Sequence, residues 1–288
     1  MVASIKDYNY FLPNKLIALN PRPKREQAKM MVYDNNSEIT QHTLFSEIPD
    51  YLKKGDMIVL NDTKVIPGRL FLKKETGGIV ELLFHKSIDK NTTICIFKSS
   101  RKLTVNTKLY LDKNNFFVIK EINNNYVTLF YHDDSLSLFM NHGEVPLPKY
   151  IKRKATKEDI QRYQTTYAKN NGSVAAPTAG LHFTKNILDQ IKQKGVLIEY
   201  LTLHVTYNTF KPIAKDDYTL HEIGSEYCSI SENLMKKIKM VKKNKKRIIA
   251  VGTTATRALE NYATKSIKGS FSGNADLYIT PGYDFKII

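Results

Sequence analysis

The stretch Met57-Ile58-Val59-Leu60-Asn61-Asp62-Thr63 places the first predicted core strand directly before a break in the chain. Four consecutive apolar residues predict a short buried strand, and Asn-Asp-Thr favours a turn after it. On the N-terminal side, up to about residue 64, a turn-rich start is followed by a helix-like segment over residues 45–53. On the C-terminal side the sequence changes character, which indicates a boundary between structural units near residue 65.

Beyond that boundary, residues 66–140 contain six short β-prone runs separated by turn-forming residues. The runs cover residues 69–73, 78–85, 92–99, 108–111, 116–122 and 126–131. Closely spaced short strands of this kind predict a small β-barrel or sandwich. Small barrels often bind RNA on one face.

The remainder of the chain, from Pro146 onward, alternates predicted helices with predicted strands. Helices are expected over residues 160–168, 184–194 and 254–263, and strands over residues 196–205, 247–251 and 277–279. This alternation predicts an α/β layer domain with some parallel strand pairing.

The chain is strongly basic. Its 288 residues include 44 Lys and Arg against 28 Asp and Glu, a formal net charge of +16. Residues 151–250 hold nineteen basic and nine acidic residues, so +10 of that charge lies there. Residues 236–247 hold eight basic residues, and the spacing of Leu234, Ile238 and Val241 predicts a helix with a basic outer face. Such a helix suits phosphate binding, although a lysine-rich solvated surface explains the charge alone equally well.

The composition and the termini exclude several classes of protein. Two cysteines, Cys95 and Cys228, are too few for a disulfide framework or a four-thiolate zinc site. No group of His, Cys and Asp residues has metal-ligand spacing, so we predict no metal. The first residues lack the pattern of a signal peptide, and no apolar run is long enough to cross a bilayer. We therefore expect a cytoplasmic protein without a membrane partner.

The first candidate ligand site is the run Gly172-Ser173-Val174-Ala175-Ala176-Pro177-Thr178-Ala179-Gly180-Leu181-His182-Phe183-Thr184. Small residues let backbone amides approach a ligand closely, which makes candidates of Ser173, Ala175, Ala176, Thr178 and Gly180. The run lacks the Gly-Lys-Ser/Thr of a phosphate-binding P-loop. A loop packed for steric reasons, with His182 only capping or packing, is an equally good interpretation.

Two further segments join a predicted strand to polar residues. In Leu201-Thr202-Leu203-His204-Val205 the histidine is expected on the face opposite its apolar neighbours. There it either transfers a proton near neutral pH or is a half-buried structural residue. In Val251-Gly252-Thr253-Thr254-Ala255-Thr256-Arg257 the helix start suits an anionic ligand, and Arg257 suits a carboxylate. Asn61-Asp62-Thr63-Lys64 lies at the expected boundary, where ligand clefts are common, or is only a turn.

Taken in order along the chain, these motifs resemble the S-adenosylmethionine:tRNA ribosyltransferase-isomerase family of queuosine biosynthesis. The resemblance also rests on Tyr10-Phe11-Leu12-Pro13, Asn61-Asp62-Thr63-Lys64-Val65-Ile66-Pro67, Gly78-Ile79-Val80-Glu81-Leu82-Leu83, Arg162-Tyr163-Gln164-Thr165 and Pro281-Gly282-Tyr283. It implies an α/β catalytic domain made of residues 1–65 and 146–288, with residues 66–145 inserted as a β-barrel domain.

The resemblance also implies the reaction. The ribosyl part of S-adenosylmethionine, a co-substrate, passes with isomerisation to the aminomethyl group of a 7-deazaguanine at the tRNA wobble position. Adenine and methionine leave, and epoxyqueuosine forms; we expect the enzyme to be a monomer. Because a sulfonium acidifies the neighbouring C5′ hydrogens, a base of modest strength suffices. We expect His204 or His182 in that role, with Asp62 as a third catalytic candidate.

The same resemblance assigns the ligand-binding candidates. The backbone of Ser173, Ala175, Ala176, Thr178 and Gly180 is expected to hold the methionine carboxylate or the adenine, together with Gly252, Thr253, Thr254 and Arg257. The basic helix and the barrel are candidates for contacts with tRNA phosphates.

Three departures from the family pattern leave an alternative open. Thr206-Tyr207-Asn208-Thr209-Phe210 replaces a Gly-rich stretch, Leu220-His221-Glu222 matches a Met-His-x-Glu stretch only loosely, and the sequence stops soon after Pro281-Gly282-Tyr283, before the last family stretch. The alternative is a vestigial or non-catalytic tRNA-binding protein, which would bind tRNA without releasing adenine. A methyltransferase is disfavoured because Gly-x-Gly-x-x-Gly is missing.

Overall fold

A computed structural model describes residues 4–148, 150–207 and 212–288. These residues form an α/β layer built on a five-stranded sheet, together with a closed six-stranded β-barrel. This confirms the predicted fold class. The assignment of residues 1–65 and 146–288 to one domain and residues 66–145 to another stays a prediction. Within the described ranges, no helix has both the length and the apolar character needed to span a membrane.

The N-terminal part contains a hairpin and two strands of the site. The hairpin pairs β1 (Lys29–Asp34) with β2 (Ile39–Leu44), and a 3-10 helix (Phe45–Tyr51) follows. Next come β3 (Met57–Asn61) and β4 (Thr63–Val65), so the predicted break at Asn61-Asp62-Thr63 is a single residue. The backbone of Asp62 bonds to two different segments. Its N–H donates to the Leu201 carbonyl, while its carbonyl accepts from the N–H groups of Lys169 and Asn170.

The barrel forms from six antiparallel strands, in agreement with the six predicted runs. They are β5 (Arg69–Lys74), β6 (Ile79–Ser87), β7 (Thr92–Ser99), β8 (Lys108–Tyr110), β9 (Phe116–Asn123) and β10 (Tyr126–Phe130), closed in the order β10-β7-β6-β5-β8-β9. Alternate residues of each strand fill the interior, as period-two patterning requires. Phe117, Leu109 and Leu129, for example, have no exposed surface.

The C-terminal part alternates helices with strands. The helices are α1 (Ser135–His142), α2 (Lys157–Arg162), α3 (Lys185–Gln193), α4 (Glu232–Lys243) and α5 (Gly252–Thr264). The strands are β11 (Asn170–Ser173), β12 (Leu197–Leu203), β13 (Glu226–Ile230), β14 (Ile248–Ala250) and β15 (Phe271–Ala275).

The five-stranded sheet has the order β14-β3-β12-β13-β15. Its first three strands are parallel, whereas β12, β13 and β15 pair antiparallel. Every residue of β3 is buried, since helices cover both faces of the sheet around it. Met57 and Val59 pack in the cluster with α4 and α5, and Ile58 and Leu60 in the cluster with α3.

Three predicted elements differ from the structure. The helix expected over residues 160–168 is α2, which ends at Arg162, because the Gln164 side chain then pairs with both backbone groups of Val65. The helix-like segment over residues 45–53 is a 3-10 helix containing Pro49, which lacks the N–H that an α-helix needs. Residues 277–279 form no strand, and side chains bind both backbone groups of Leu277, from Asn261 and Arg257.

Candidate functional site

His204 comes directly after β12, which ends at Leu203, whereas the sequence predicted a strand continuing to residue 205. Leu203 and Val205 are buried on either side of it, while His204 itself is half-buried. Its Nδ1 lies 2.8 Å from the Thr63 hydroxyl, and its ring stacks on Tyr227 with centroids 5.4 Å apart and planes inclined by 22°. These two contacts therefore hold the imidazole in place and leave its Nε2 available for proton transfer.

Asn61-Asp62-Thr63 positions this histidine from the junction of β3 and β4. The Asn61 amide accepts from the N–H groups of Leu203 and Thr63 and donates to the Leu203 carbonyl. It therefore fixes the end of β12 to the strand that supplies Thr63. Because these bonds lie in a buried region, the position of His204 is set by backbone geometry as well as by its own side-chain contacts.

Asp62 is buried behind the histidine and accepts three side-chain hydrogen bonds. The Thr202 hydroxyl donates at 2.7 Å, and the Asn170 amide reaches both carboxylate oxygens at 3.1 Å. Burial lowers the pKa of His204 below its ordinary value, and the Asp62 charge raises it in part. The net direction leaves a neutral imidazole at neutral pH, which is the state that a general base needs.

Gly172 lets the backbone pack closely against the His204 ring near Nε2. A Cβ atom at position 172 would lie 2.7 Å from Nε2, well inside van der Waals contact. The φ of Gly172 is +145°, a conformation that also favours glycine. Both the closeness of the His204 ring and the backbone conformation therefore favour a glycine at position 172.

His204 lines a cleft of about 470 Å³ between the barrel and the sheet, which we call the histidine cleft. Phe84, His85, Lys86 and Ser87 from β6 and Leu136 from α1 form one side. The other side is formed by Asn171, Gly172, His204, Thr206, Ser225, Tyr227 and Asn274.

The two predicted ligand loops meet in a second cleft of about 370 Å³, which we call the small-residue cleft. It is lined by Pro148, Tyr150, Tyr163, Ala175, Ala176, Pro177, Thr178, Ala179, Val205, Gly252, Thr253 and Thr254. The N-terminus of α5 opens into it, and the N-cap residue Val251 gives that terminus no side-chain cap. The Thr254 hydroxyl is buried and has no hydrogen-bond partner among the described residues.

The clefts are adjacent, because His204 lines one and Val205 lines the other. Of the predicted binding residues, Ala175, Ala176, Thr178, Gly252, Thr253 and Thr254 line the small-residue cleft. Ser173 and Gly180 are buried behind it. The Ser173 hydroxyl donates to the Ala175 carbonyl and accepts from the Val205 N–H, so it shapes the wall.

Arg257 is engaged within the protein. Its guanidinium pairs with Glu226 at 2.8 Å and donates to the carbonyls of Leu277, Gly224 and Ala275. Glu226 in turn accepts from the Thr206 N–H at 2.7 Å. In this arrangement Arg257 supports the polypeptide behind the clefts, and its predicted contact with a ligand carboxylate stays a prediction.

His182 lies apart from both clefts. Its ring packs on Phe45 with centroids 5.2 Å apart, and it borders a different cavity with Arg22, Arg25 and Arg162. Burial lowers its pKa too. The structure therefore does not bring His182 together with His204, Asp62 or the second ligand loop.

In the segment that replaces the family's Gly-rich stretch, the structure describes Thr206 and Tyr207. Thr206 is buried against Glu226, and Tyr207 packs on the barrel core. Asn208, Thr209 and Phe210 lie outside the described residues. His221 packs edge-on against Tyr278, with centroids 6.0 Å apart.

Sequence reasoning missed Tyr227, Asn274 and Lys86, which come from β13, β15 and β6. No local pattern marks them, because they meet only through the sheet and barrel topology. It also missed how Asn61 and Thr63 act, although their motif was noted. In the described ranges, no group of three or more His, Cys, Asp or Glu side chains suits a metal ion.

The predicted basic helix is α4, which buries Leu234, Ile238 and Val241 as expected. Two of its lysines are paired, Lys236 with Glu232 and Lys237 with Glu199. Lys239 and Lys243 are exposed. The outer face of α4 thus offers cations to solvent.

Comparison with known proteins gives concordant results. A family model described as Queuosine biosynthesis protein matches residues 5–288. An S-adenosylmethionine:tRNA ribosyltransferase-isomerase of Sulfurihydrogenibium sp. (strain YO3AOP1) is 41% identical over 287 residues, which cover 99% of this chain and 84% of that protein. A protein of the same name from Fusobacterium nucleatum subsp. nucleatum is 42% identical over 294 residues, which cover 100% of this chain and 83% of that protein.

A solved structure extends the likeness to three dimensions. The crystal structure of S-adenosylmethionine tRNA ribosyltransferase from Thermotoga maritima matches with a TM-score of 0.51 at 26% identity. The match covers 98% of this chain and 82% of that one. With both a family model and relatives of about 40% identity matched over nearly all of its residues, the chain belongs to the Queuosine biosynthesis protein family.

Proposed function

We propose that this protein transfers and isomerises the ribosyl moiety of S-adenosylmethionine onto 7-aminomethyl-7-deazaguanine at the wobble position of tRNA. The product is epoxyqueuosine in tRNA, and adenine and methionine are released. The observation that carries the proposal is the pair of adjacent clefts that share the end of β12, with His204 in one and Val205 in the other. A reaction between two substrates needs two such places side by side.

The small-residue cleft suits S-adenosylmethionine. The exposed amides at the N-terminus of α5 attract an anion such as the methionine carboxylate. The unpaired Thr254 hydroxyl offers one further hydrogen bond. Ala175, Ala176 and Pro177 present little side-chain bulk, so the ligand can approach the backbone.

His204 is the candidate base. When its Nδ1–H donates to the Thr63 hydroxyl, Nε2 carries the free lone pair and lies next to Gly172, which also lines the histidine cleft. The ribosyl end of the co-substrate extends from the small-residue cleft past the end of β12 to His204, where Nε2 takes a proton from C5′. The sulfonium stabilises the carbanion left behind. Asp62 is a positioning residue in this scheme, because its carboxylate acts through Thr202, Asn170 and its charge on His204.

Adenine release from S-adenosylmethionine, measured with precursor tRNA, tests the proposal. We expect His204→Gln to lower turnover by about a hundredfold or more, whereas His182→Gln, in a different cavity, keeps at least a tenth of it. Near-normal turnover of His204→Gln would refute the assignment of the base. Tight, salt-sensitive tRNA binding by the wild-type protein without adenine release would instead support a non-catalytic tRNA-binding protein.

A further inference from the structure

We propose that the histidine cleft is the binding place of the acceptor nucleobase, with Tyr227 as its stacking platform and Lys86 as a contact for the adjoining phosphate. This inference rests on the proposed function and assigns the second substrate to a place in the molecule. Each substrate then has a cleft of its own, because the proposed function places the co-substrate in the small-residue cleft.

The walls of the histidine cleft come from both parts of the fold. The end of β6 supplies His85, Lys86 and Ser87, and the sheet supplies Tyr227 and Asn274 from β13 and β15. A volume of about 470 Å³ accommodates a purine-sized base with its ribose. Because the cleft opens between barrel and sheet, a nucleotide extruded from an RNA loop can enter it without unfolding either part.

Tyr227 is placed to stack on a base. The residue is 43% exposed, and its ring stacks on the His204 ring. Its hydroxyl lies 2.8 Å from the Ser272 hydroxyl. A ring that is fixed in place and open on one side loses little freedom when a base stacks on it, and single-stranded RNA is commonly bound on such aromatic platforms.

Polar side chains in the same cleft match the edge of a guanine-type base. The amides of Asn171 and Asn274 each offer donors and an acceptor, and Ser225 adds a hydroxyl. All three residues are exposed, and their side chains make no hydrogen bond to other parts of the described chain. A 7-deazaguanine presents both donors and an acceptor, which these groups complement.

A cation lies at the mouth of the histidine cleft. Lys86 is exposed at the rim of the histidine cleft and forms no ion pair with a described residue. None of the described residues that line the small-residue cleft is a lysine or an arginine. A nucleotide within RNA carries phosphates on both sides, so the cleft with a cation at its mouth fits the RNA substrate.

The test measures binding of two RNA probes and of S-adenosylmethionine separately. The first probe is an anticodon stem-loop with 7-aminomethyl-7-deazaguanine at the wobble position, and the second carries guanine there. We expect Tyr227→Ala to raise the Kd for the first probe about tenfold, and Tyr227→Phe to keep the wild-type value within about threefold. The rise in Tm on addition of S-adenosylmethionine should be the same in all three proteins.

Two further variants keep the test decisive if Tyr227→Ala does not fold. Asn274→Ala should weaken the first probe more than the second, because it removes a contact with the base itself. Lys86→Ala should weaken both probes alike, and Lys98→Ala, an exposed barrel lysine away from the cleft, should change neither.

The assignment is overturned if Tyr227→Ala and Asn274→Ala bind both probes like the wild type, or if they lose the S-adenosylmethionine shift instead. Failure of the proposed reaction has a different signature. In that case the wild-type protein releases no adenine, whatever the probe affinities of the variants are.

Discussion

At the scale of single residues, Gly172 and His204 pack against each other in the site. Gly172→Ala places a methyl group 2.7 Å from Nε2 in the present geometry and strains a φ of +145°. We expect the imidazole to be displaced or blocked, with turnover falling about a hundredfold, because small misplacements of a base cost that much. The rate of adenine release measures this turnover. Gly269→Ala, where a Cβ meets nothing within 4 Å, controls for the loss of a glycine, and equal turnover of both variants would contradict the prediction.

The pH dependence of turnover provides a second test at residue scale. His204 must be neutral to act as a base, so activity falls as the pH drops through its pKa. Burial places that pKa below its ordinary value of about 6.5, so the acid limb of kcat/KM should lie below pH 6.5. The Asp62 charge raises the pKa, so Asp62→Asn should move the limb to still lower pH. Asp133→Asn, next to Lys90 before α1, should not move it.

The sequence allowed the direction of His204 to be predicted, since Leu203 and Val205 are both apolar and both buried. It did not allow Tyr227 or Asn274 to be predicted. Those residues reach the cleft only because β13 and β15 pair next to β12. Local periodicity predicts the face of the strand on which a side chain lies. Which residues from distant segments lie beside it depends on the order of the strands in the sheet.

At the scale of elements, the start of helix α5 is where we propose that the co-substrate binds. Thr254→Val removes a buried hydroxyl that has no partner in the described chain, so the free protein should lose no stability. We expect the Kd for S-adenosylmethionine to rise about three- to tenfold through the lost hydrogen bond. Thr256→Val on the same helix is the control, because its hydroxyl already donates to Gly252. Isothermal titration calorimetry measures both, and an unchanged Kd for Thr254→Val would exclude the contact.

The buried pair of Arg257 with Glu226 joins α5 to β13. Arg257→Ala removes the guanidinium that pairs with the Glu226 carboxylate, which is 3% exposed. We expect the free energy of unfolding to fall by about 3 kcal/mol or more, measured by urea denaturation. Lys236→Ala, which breaks an exposed pair with Glu232, should cost under about 1 kcal/mol. Similar costs for the two variants would show that the buried pair contributes little.

Prediction of the elements depended on their patterns. The barrel strands alternate apolar and polar residues, so all six were located within about two residues. β11 was missed because Asn170–Ser173 has no apolar residue and is held by pairing with β4. The hairpin of β1 and β2 was missed as well, since it exposes most of both strands.

At the scale of the whole molecule, the uneven charge predicts how RNA binding responds to salt. Each phosphate neutralised by a lysine adds about one unit to the slope of log K against log salt. Replacing Lys239 and Lys243 together by Ala should therefore reduce the slope by about two, as measured by fluorescence anisotropy with tRNA. Replacing Lys236 and Lys237, which pair with acidic residues, should have a smaller effect. An unchanged slope in the first variant would place the RNA on another surface.

The two clefts on either side of the β12 end have a kinetic consequence. The two clefts share no lining residue, so we expect that either substrate can bind first and that adenine can depart while the RNA stays in place. Each substrate should then bind the free protein in the absence of the other, as measured by equilibrium titration. A single shared entrance would impose a compulsory order of addition, in which the second substrate does not bind the free protein.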